Sequence, residues 1–175
     1  MYELIILSLL MRQPAHGYLF GKVLNNMIGP VARASNGRIY PLLAKLEADG
    51  LVTAWDQEHE GRPMRTYQIT AAGKQRFRAL MLDTASNPRE YPELFALKVT
   101  VFPLIPLEER LMLIDHYTGF VEAHIQHLSA GVQDLEAGRI PGETDPLREV
   151  LQHRIEQWQL ERTWAKGLKE RAYEL

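Results

Sequence analysis

Cysteine is absent from the 175-residue sequence. This absence excludes disulfide bonds and thiolate metal sites, and it is compatible with a reducing cytoplasm. Long apolar runs are missing too: residues 1–11 are apolar, but the segment is too short to span a bilayer and Glu3 interrupts it. The segment also lacks the basic start and the small-residue cleavage site of a signal peptide. We therefore expect a cytoplasmic protein with no membrane segment and a buried first helix over residues 2–12.

The sequence also lacks the motifs of common catalytic sites. It contains no glycine-rich phosphate loop, no nucleophile elbow, no zinc-protease motif and no paired acid–base set. His124 and His127 are three positions apart and could face one metal ion, but no third ligand lies at a useful spacing. We predict that the protein is not an enzyme and holds no metal or other cofactor.

Charge is distributed unevenly between the two halves of the chain. Residues 1–85 carry 10 Lys and Arg against 7 Asp and Glu, whereas residues 86–175 carry 10 against 15. A mildly basic half joined to an acidic half fits a nucleic-acid-binding domain attached to a partner-binding domain. Pro-containing turns at residues 87–88 and 91–92 support this division, so we expect domains at 1–85 and 86–175.

The most informative stretch is residues 35–52, which read SNGRIYPLLAKLEADGLV. A helical period places Ile39, Leu42, Leu43 and Leu46 on one arc. The opposite arc carries mostly small side chains and almost no acidic residues, and cationic residues lie on it or beside it. Small residues let a helix backbone approach a DNA groove, and long donors at the rim reach bases and phosphates. The residues of this arc are Gly37, Pro41, Ala44, Lys45 and Ala48, with Arg38 and Tyr40 on its flanks.

A hairpin is predicted directly after this helix. Residues 51–57 and 64–70 have strand-like composition, and the turn-like residues 58–63 separate them. Gly50 is placed to end the helix in a left-handed conformation, and Thr70 is placed to cap a further helix over residues 71–82. A helix, a tight glycine turn and a basic hairpin together predict a winged helix-turn-helix.

At this point the chain resembles the PadR-like transcriptional regulators. Four blocks carry the resemblance at the family's spacing: PAHGY at 14–18, SNGRIYP at 35–41, LEADGLV at 46–52, and GRP with YQITAAG at 61–63 and 67–73. The resemblance implies a DNA-binding winged helix and a helical dimerisation domain. It also implies a crevice near residues 16–18, where some members bind phenolic or other aromatic ligands.

The DNA-contacting residues follow from the helix, the hairpin and the resemblance together. Lys45 is expected to meet phosphate, Arg38 a base or a phosphate, and the arginines of the wing phosphate or the minor groove. The alternative is that these side chains only solvate a helix face and a hairpin tip. The predicted DNA-contacting residues are Ser35, Asn36, Arg38, Tyr40, Lys45, Arg62 and Arg65.

The second half of the chain is predicted to be helical and to contain a long heptad seam. Nine positions alternate in spacing by four and three, and Thr118 is the only polar one. Such a seam packs on another helix, either in the same chain or in a second subunit. A last helix over about residues 146–173 can meet two neighbours. The seam consists of Leu107, Leu111, Ile114, Thr118, Val121, Ile125, Leu128, Val132 and Leu135.

A small aromatic effector is a further expected partner. Aromatic side chains at helical spacing usually belong to a core, and His and Gly at a helix start usually serve local geometry. At a subunit interface, however, such rings can also line a ligand pocket. The candidate effector-binding residues are His16, Tyr18, Tyr117, Trp158 and Trp164.

The sequence thus predicts a mainly α-helical protein with a small β-hairpin wing and antiparallel long C-terminal helices. The predicted function is that of a homodimeric, ligand-responsive repressor on a palindromic operator of double-stranded DNA. Two alternatives stay open: a winged helix used for protein–protein interaction without DNA, and a small-molecule-binding protein. A steep loss of DNA binding with added salt would distinguish the first alternative from the main prediction.

Overall fold

The computed structural model describes residues 1–28, 36–59, 62–85, 88–141 and 145–173. By contacts the chain divides into two compact units, Met1–Ile105 and Pro106–Leu175. Across the described residues, no helix combines the length and the apolar character needed to cross a membrane. The elements in order are α1 (Tyr2–Leu10), β1 (Ala15–His16), α2 (Gly17–Ile28), α3 (Asn36–Ala48), β2 (Val52–His59), β3 (Arg62–Ile69), α4 (Ala71–Leu82), a 3-10 turn (Pro88–Glu90), α5 (Tyr91–Val99), a 3-10 turn (Phe102–Leu104), α6 (Leu107–Glu136) and α7 (Asp145–Arg171).

Helix α1 lies in the core of the first unit, as its nearly continuous apolar sequence predicts. Its buried residues include five apolar ones on several sides of the helix and Ser8, whose hydroxyl donates to the carbonyl of Ile5 at 2.8 Å. This internal bond satisfies the hydroxyl without a partner outside the helix. The buried apolar residues are Leu4, Ile5, Ile6, Leu7 and Leu10.

The wing is a two-stranded antiparallel hairpin, extended to three strands in the order β1-β3-β2. Val52 pairs with Ile69 at its base and His59 with Arg62 at its far end. Ala15 and His16, the two residues directly before α2, pair with Tyr67 and Thr66 of β3. These two residues supply a third strand to the sheet before α2 begins at Gly17.

The C-terminal end of α3 and the start of α4 confirm the predicted roles of Gly50 and Thr70. Gly50 has φ of 70°, the Leu51 amide donates to the Leu46 carbonyl at 2.9 Å, and the Gly50 amide donates to the Glu47 carbonyl at 3.0 Å. This left-handed glycine ending satisfies carbonyls that the helix leaves open. The Thr70 hydroxyl accepts from the Gly73 amide at 3.0 Å, so Thr70 is the N-cap of α4.

Gly73 is fixed by the close approach of α4 to the turn that follows α3. A Cβ at this position would lie 2.0 Å from the Leu51 carbonyl oxygen and 2.7 Å from Cγ1 of Ile69. The Thr70 amide donates to the same Leu51 carbonyl at 3.1 Å. The sequence TAAG therefore holds the wing, the end of α3 and the start of α4 together.

Helix α5 and the segment after it are part of the first compact unit, whereas the sequence analysis grouped residues 86–105 with the second half. The burial of Tyr91, Phe95 and Phe102 is consistent with placing this segment in the first compact unit. The rings of Phe95 and Phe102 meet edge to face at 6.2 Å. Lys98 is fully buried, and its ammonium donates to the Asp83 carbonyl directly after α4. Pro103 and Pro106 follow the end of α5 at Val99.

The second unit is built from α6 and α7, which pack along each other. Ile114, Val121 and Leu135 of the heptad seam are buried, as are Ala165 and Leu168 of α7. The seam thus has its partner helix within the same chain. Apolar side chains are left exposed on α7 and near the start of α6: Leu147, Val150, Leu160 and Met112.

Candidate nucleic-acid interface

Helix α3 has one buried face and one open face. Ile39, Leu43 and Leu46 are buried against the core of the first unit, while Leu42 is half-buried. Pro41 lies inside the helix, and α3 nevertheless runs from Asn36 to Ala48. The exposed residues are the ones that the helical period placed on the small face: Gly37, Pro41, Ala44, Lys45 and Ala48, with Arg38 and Tyr40 beside them.

Arg38 and Lys45 differ in their surroundings. Within the described residues, Arg38 is exposed and makes no hydrogen bond or ion pair. The Lys45 ammonium lies 2.5 Å from the carboxylate of Asp49, which is one helical turn further on. The Lys45 side chain is 70% exposed. The hydrogen bond that Lys45 donates to Asp49 raises the pKa of Lys45 above its usual value. Arg38 can therefore bind a ligand directly, whereas Lys45 must first exchange an intramolecular partner.

Tyr40 packs on the first residue of α2. A Cβ added to Gly17 would lie 2.8 Å from Cε1 of Tyr40 and 3.2 Å from its hydroxyl. The glycine of the PAHGY block therefore leaves room for the ring, which is still 49% exposed. This contact fixes the direction of Tyr40 at the edge of the open face and links α2 to α3.

Arg65 is held by two carboxylates on neighbouring elements. Its guanidinium donates through one NH2 to both Glu47 oxygens of α3, at 2.8 and 3.0 Å. Its other terminal nitrogen lies 3.6 Å from Asp56, the residue directly opposite on β2. The hydrogen bond that Arg65 donates to Glu47 raises the pKa of the guanidinium. The arginine expected to contact DNA thus connects the wing to α3 in the structure.

The remaining predicted contact residues lie at the limits of the description. Ser35 falls outside the described residues. Asn36 begins α3 and Arg62 begins β3, and for these two residues only the backbone is described. Their predicted contacts with DNA therefore stay predictions.

Two of the candidate effector residues lie beside the outer face of the wing sheet. The rings of His16 and Tyr18 stack at 6.5 Å between centroids, and Tyr18 is 73% exposed. His16 also lines an open groove of about 310 Å³ with Trp55, Met64 and Thr66. Its Nδ1 is buried and has no hydrogen-bond partner among the described residues.

The other three candidates lie between α6 and α7. Tyr117 is fully buried, its hydroxyl donates to the Glu161 carboxylate at 2.7 Å, and its ring meets Trp164 edge to face at 6.1 Å. Trp158 lies 4.3 Å from the His124 ring, measured between centroids. These rings pack against one another; Tyr117 lies in the core of the second unit, whereas Trp158 and Trp164 are half-buried. Among the described residues, no three His, Asp or Glu side chains are grouped so that they could hold a metal ion.

Glu47 and Gly17 are the residues of this interface that sequence reasoning missed. The small face of α3 does not include Glu47, and Gly17 was expected only to serve local geometry. A cross-strand pairing of Arg65 with Asp56 would follow from the register of the hairpin. The contact with Glu47, 18 positions away, has no signal in the local sequence.

Known proteins resemble the chain most clearly in this first unit. Residues 6–79 match the sequence profile of the Transcriptional regulator PadR-like family. The transcriptional regulator Rv3488 of Mycobacterium tuberculosis is 45% identical over 42 residues, which are 24% of this chain and 39% of the relative. The matched stretch thus spans about two fifths of that relative's length.

The chain is also similar to several solved structures. The structure of Bacillus subtilis PadR in complex with operator DNA covers 96% of both chains at 21% identity, with a TM-score of 0.45. Protein TA0346 of Thermoplasma acidophilum is 32% identical, over 45% of this chain and 74% of its own, with a TM-score of 0.40. Residues 6–79, about two fifths of the chain, thus carry its resemblance to the PadR-like transcriptional regulators.

Proposed function

We propose that the protein binds double-stranded DNA through α3 and the wing, and that it represses transcription as a cytoplasmic homodimer. In this proposal residues 1–85 bind DNA, and residues 86–175 join the subunits and receive an effector. The observation that carries the proposal is the open face of α3: its small residues are exposed and Arg38 beside them has no partner among the described residues. A helix with this surface can approach the major groove closely.

Each exposed cation of α3 has a distinct part in the proposed complex. Arg38 lies near the start of the helix, and N-terminal residues of a recognition helix are the ones that reach base edges. Lys45, one turn before the helix end, exchanges Asp49 for a phosphate. Ser35 and Asn36 at the helix start and Arg62 on the wing are proposed to contact the backbone, and Tyr40 to contact the edge of the same surface.

DNA binding is tested by fluorescence anisotropy with a labelled random-sequence duplex between about 50 and 200 mM salt. We expect affinity to fall steeply as salt is added, because bound counterions are released from the phosphates. Arg38→Ala should weaken binding about tenfold without lowering the melting temperature. Arg154→Ala, which removes an equally exposed helical arginine from α7, is the matched control and should bind as the unaltered protein does.

Selection of bound sequences from a random library then yields the operator. A twofold dimer predicts two inverted half-sites about 10–10.5 base pairs apart, or a multiple of that distance. A reporter gene behind the selected site should be repressed by the protein. Binding that ignores both salt and Arg38 would refute the proposal and favour a winged helix that binds another protein.

The homodimer is proposed to form through the C-terminal helices. Leu160 is 71% exposed, and Val150 and Leu147 are also open to solvent on α7. Because α6 already has α7 as its partner within the chain, a second copy is proposed to cover these leftover apolar side chains. Sedimentation velocity should show a dimer, and a monomer at all concentrations would exclude it.

A small aromatic effector is proposed to act on this dimer. The supporting observations are the ring cluster of Tyr117, Trp158 and Trp164, and the stacked pair of His16 and Tyr18. An effector would act by binding one dimer geometry more tightly than the one that fits the operator. A thermal-shift screen of aromatic acids should yield a compound that also weakens DNA binding; a screen without such a compound would refute the effector.

A further inference from the structure

We infer that Arg65 positions the wing against α3 and does not itself contact a phosphate. This inference rests on the proposed function, because it concerns the residues that orient the DNA-binding surface. It replaces the expectation from sequence that Arg65 is one of the basic contacts of the wing. Glu47 becomes the second positioning residue, since it is the α3 residue that receives Arg65.

The geometry of the Glu47–Arg65 pair supports a fixed orientation. Both Glu47 oxygens accept from the same NH2 of Arg65, at 2.8 and 3.0 Å. Charge-assisted bonds of this kind are directional as well as strong, because the guanidinium is planar and its donors are fixed. Asp56 on β2 lies 3.6 Å from the other terminal nitrogen. One side chain therefore joins α3, β2 and β3.

The local charge makes a phosphate contact unfavourable for Arg65. Glu47 and Asp56 together carry two negative charges against its single positive charge. A phosphate brought to the same guanidinium would meet both carboxylates at close range, where like charges repel. Lys45 differs, because it faces a single carboxylate on its own helix and 70% of its side chain is open.

The Glu47–Arg65 pair lies where it can fix the angle between the wing and α3. The chain links α3 to the wing only through the turn at Gly50 and Leu51, which leads into β2. The Glu47–Arg65 pair adds a side-chain link from the last turn of α3 to β3, besides the hydrogen bonds of Thr70 to Gly50 and Leu51. The Arg65 and Glu47 side chains are 46% and 33% exposed, and such surface pairs contribute little to stability. Its effect is therefore expected on the angle between the wing and α3.

The decisive experiment compares the loss of two acids from the same helix. Glu47→Gln and Asp49→Asn each remove one negative charge near the end of α3, and both acids are paired in the structure. Asp49→Asn frees Lys45 and removes repulsion, so binding to the selected operator duplex should tighten about twofold. Glu47→Gln should instead weaken it about fivefold, because the wing loses its fixed orientation.

Arg65→Ala separates positioning from contact through the salt dependence. A lost phosphate contact would lower the slope of log affinity against log salt by about 0.9, whereas a lost positioning residue leaves the slope unchanged. We expect weaker binding at an unchanged slope, and we expect Glu47→Gln with Arg65→Ala to be no weaker than Arg65→Ala alone. Tighter binding of Glu47→Gln, or a reduced slope for Arg65→Ala, would overturn the inference.

A readout without DNA keeps this inference separate from the proposed function. Hydrogen exchange of the wing amides, residues 52–59 and 62–69, should be faster in Glu47→Gln than in Asp49→Asn, with both melting temperatures within a few degrees of the unaltered protein. Equal exchange in the two variants would show that the pair does not hold the wing. If the unaltered protein binds no duplex, the proposed function fails, and the exchange comparison still decides the role of the pair.

Discussion

The internal contacts that stabilise the first compact unit differ in kind from those that stabilise the second. The first unit joins short helices and a small sheet through single contacts that tolerate few other residues, such as Gly73 against the Leu51 carbonyl and Gly17 against Tyr40. The second unit joins two long helices, α6 and α7, through an apolar seam that extends over many turns. The stability of the first unit is therefore sensitive to substitution at particular positions. The stability of the second unit depends on the apolar character of a whole helix face.

This difference follows from what each unit has to position. The proposed DNA-binding surface of α3 and the wing needs fixed angles between short elements, and short elements have little buried area of their own. Caps, close glycine contacts and the Glu47–Arg65 pair supply those angles. Two long helices need only a continuous apolar stripe, because ridges packed into grooves set their crossing angle.

The largest expected effect distinguishes the inner seam of the second unit from its outer surface. Val121 is fully buried between α6 and α7, whereas Leu160 is 71% exposed. Val121→Asp should lower the free energy of unfolding by about 4 kcal/mol, because it buries an unpaired charge. Urea denaturation followed by circular dichroism measures this loss.

Leu160→Asp is the matched substitution on the outer surface of α7. It should leave the helix content and the urea midpoint of the monomer nearly unchanged and shift sedimentation toward the monomer. A stable, folded Val121→Asp dimer would show that the seam inside the chain matters less than the contact between chains. The comparison of inner and outer faces would then have to be reversed.

Glycines test the same contrast with a smaller expected effect. Gly73→Ala places a Cβ 2.0 Å from the Leu51 carbonyl oxygen, so the turn after α3 must move. We expect a loss of about 3 kcal/mol in thermal or urea unfolding. Gly119 of α6 is the control, because a Cβ there meets nothing within 4 Å. Gly119→Ala should stabilise the protein by about 0.5–1 kcal/mol, since alanine favours the helix.

The parts of the fold with local signals were predictable from the sequence. Gly50 ends α3, Thr70 caps α4, and α4 runs over Ala71–Leu82 as its pattern indicates. The exposed residues of α3 are also the ones that its helical period placed opposite Ile39 and Leu43. Caps and amphipathic periods are properties of a few neighbouring residues, so one sequence is enough to read them.

The parts that depend on distant residues were not predictable. Ala15 and His16 resemble the start of a helix. They form β1 instead, because β3 offers an open edge far along the chain, where Ala15 pairs with Tyr67 and His16 with Thr66. Arg65 looks like a free basic residue until Glu47 of α3 is beside it. The heptad seam indicated that α6 needs a partner helix, but its period is the same whether that helix belongs to the same chain or to another.

The smallest expected effect concerns a buried cation in the first unit and an exposed one in the second. Lys98 is fully buried, and burial lowers its pKa from 10.5 to about 8. The unfolded chain therefore binds more protons than the folded protein between about pH 8 and pH 10.5, so Lys98 makes the free energy of unfolding rise with pH over this range. Below pH 8 the full penalty of the buried charge is present, on the order of 3 kcal/mol before its hydrogen bond to the Asp83 carbonyl offsets part of it.

Lys98→Met removes this pH dependence while keeping a long apolar side chain. Relative to the variant, the unaltered protein should gain about 2–3 kcal/mol of stability between pH 8 and pH 10.5, measured by urea denaturation at each pH. Lys169→Met removes an exposed lysine paired with Asp115 at 2.6 Å and should change stability by less than about 1 kcal/mol. A curve for Lys98→Met parallel to that of the unaltered protein would mean that the Lys98 ammonium is as well solvated as an exposed one. The first unit would then lose one of the contacts that set it apart from the second.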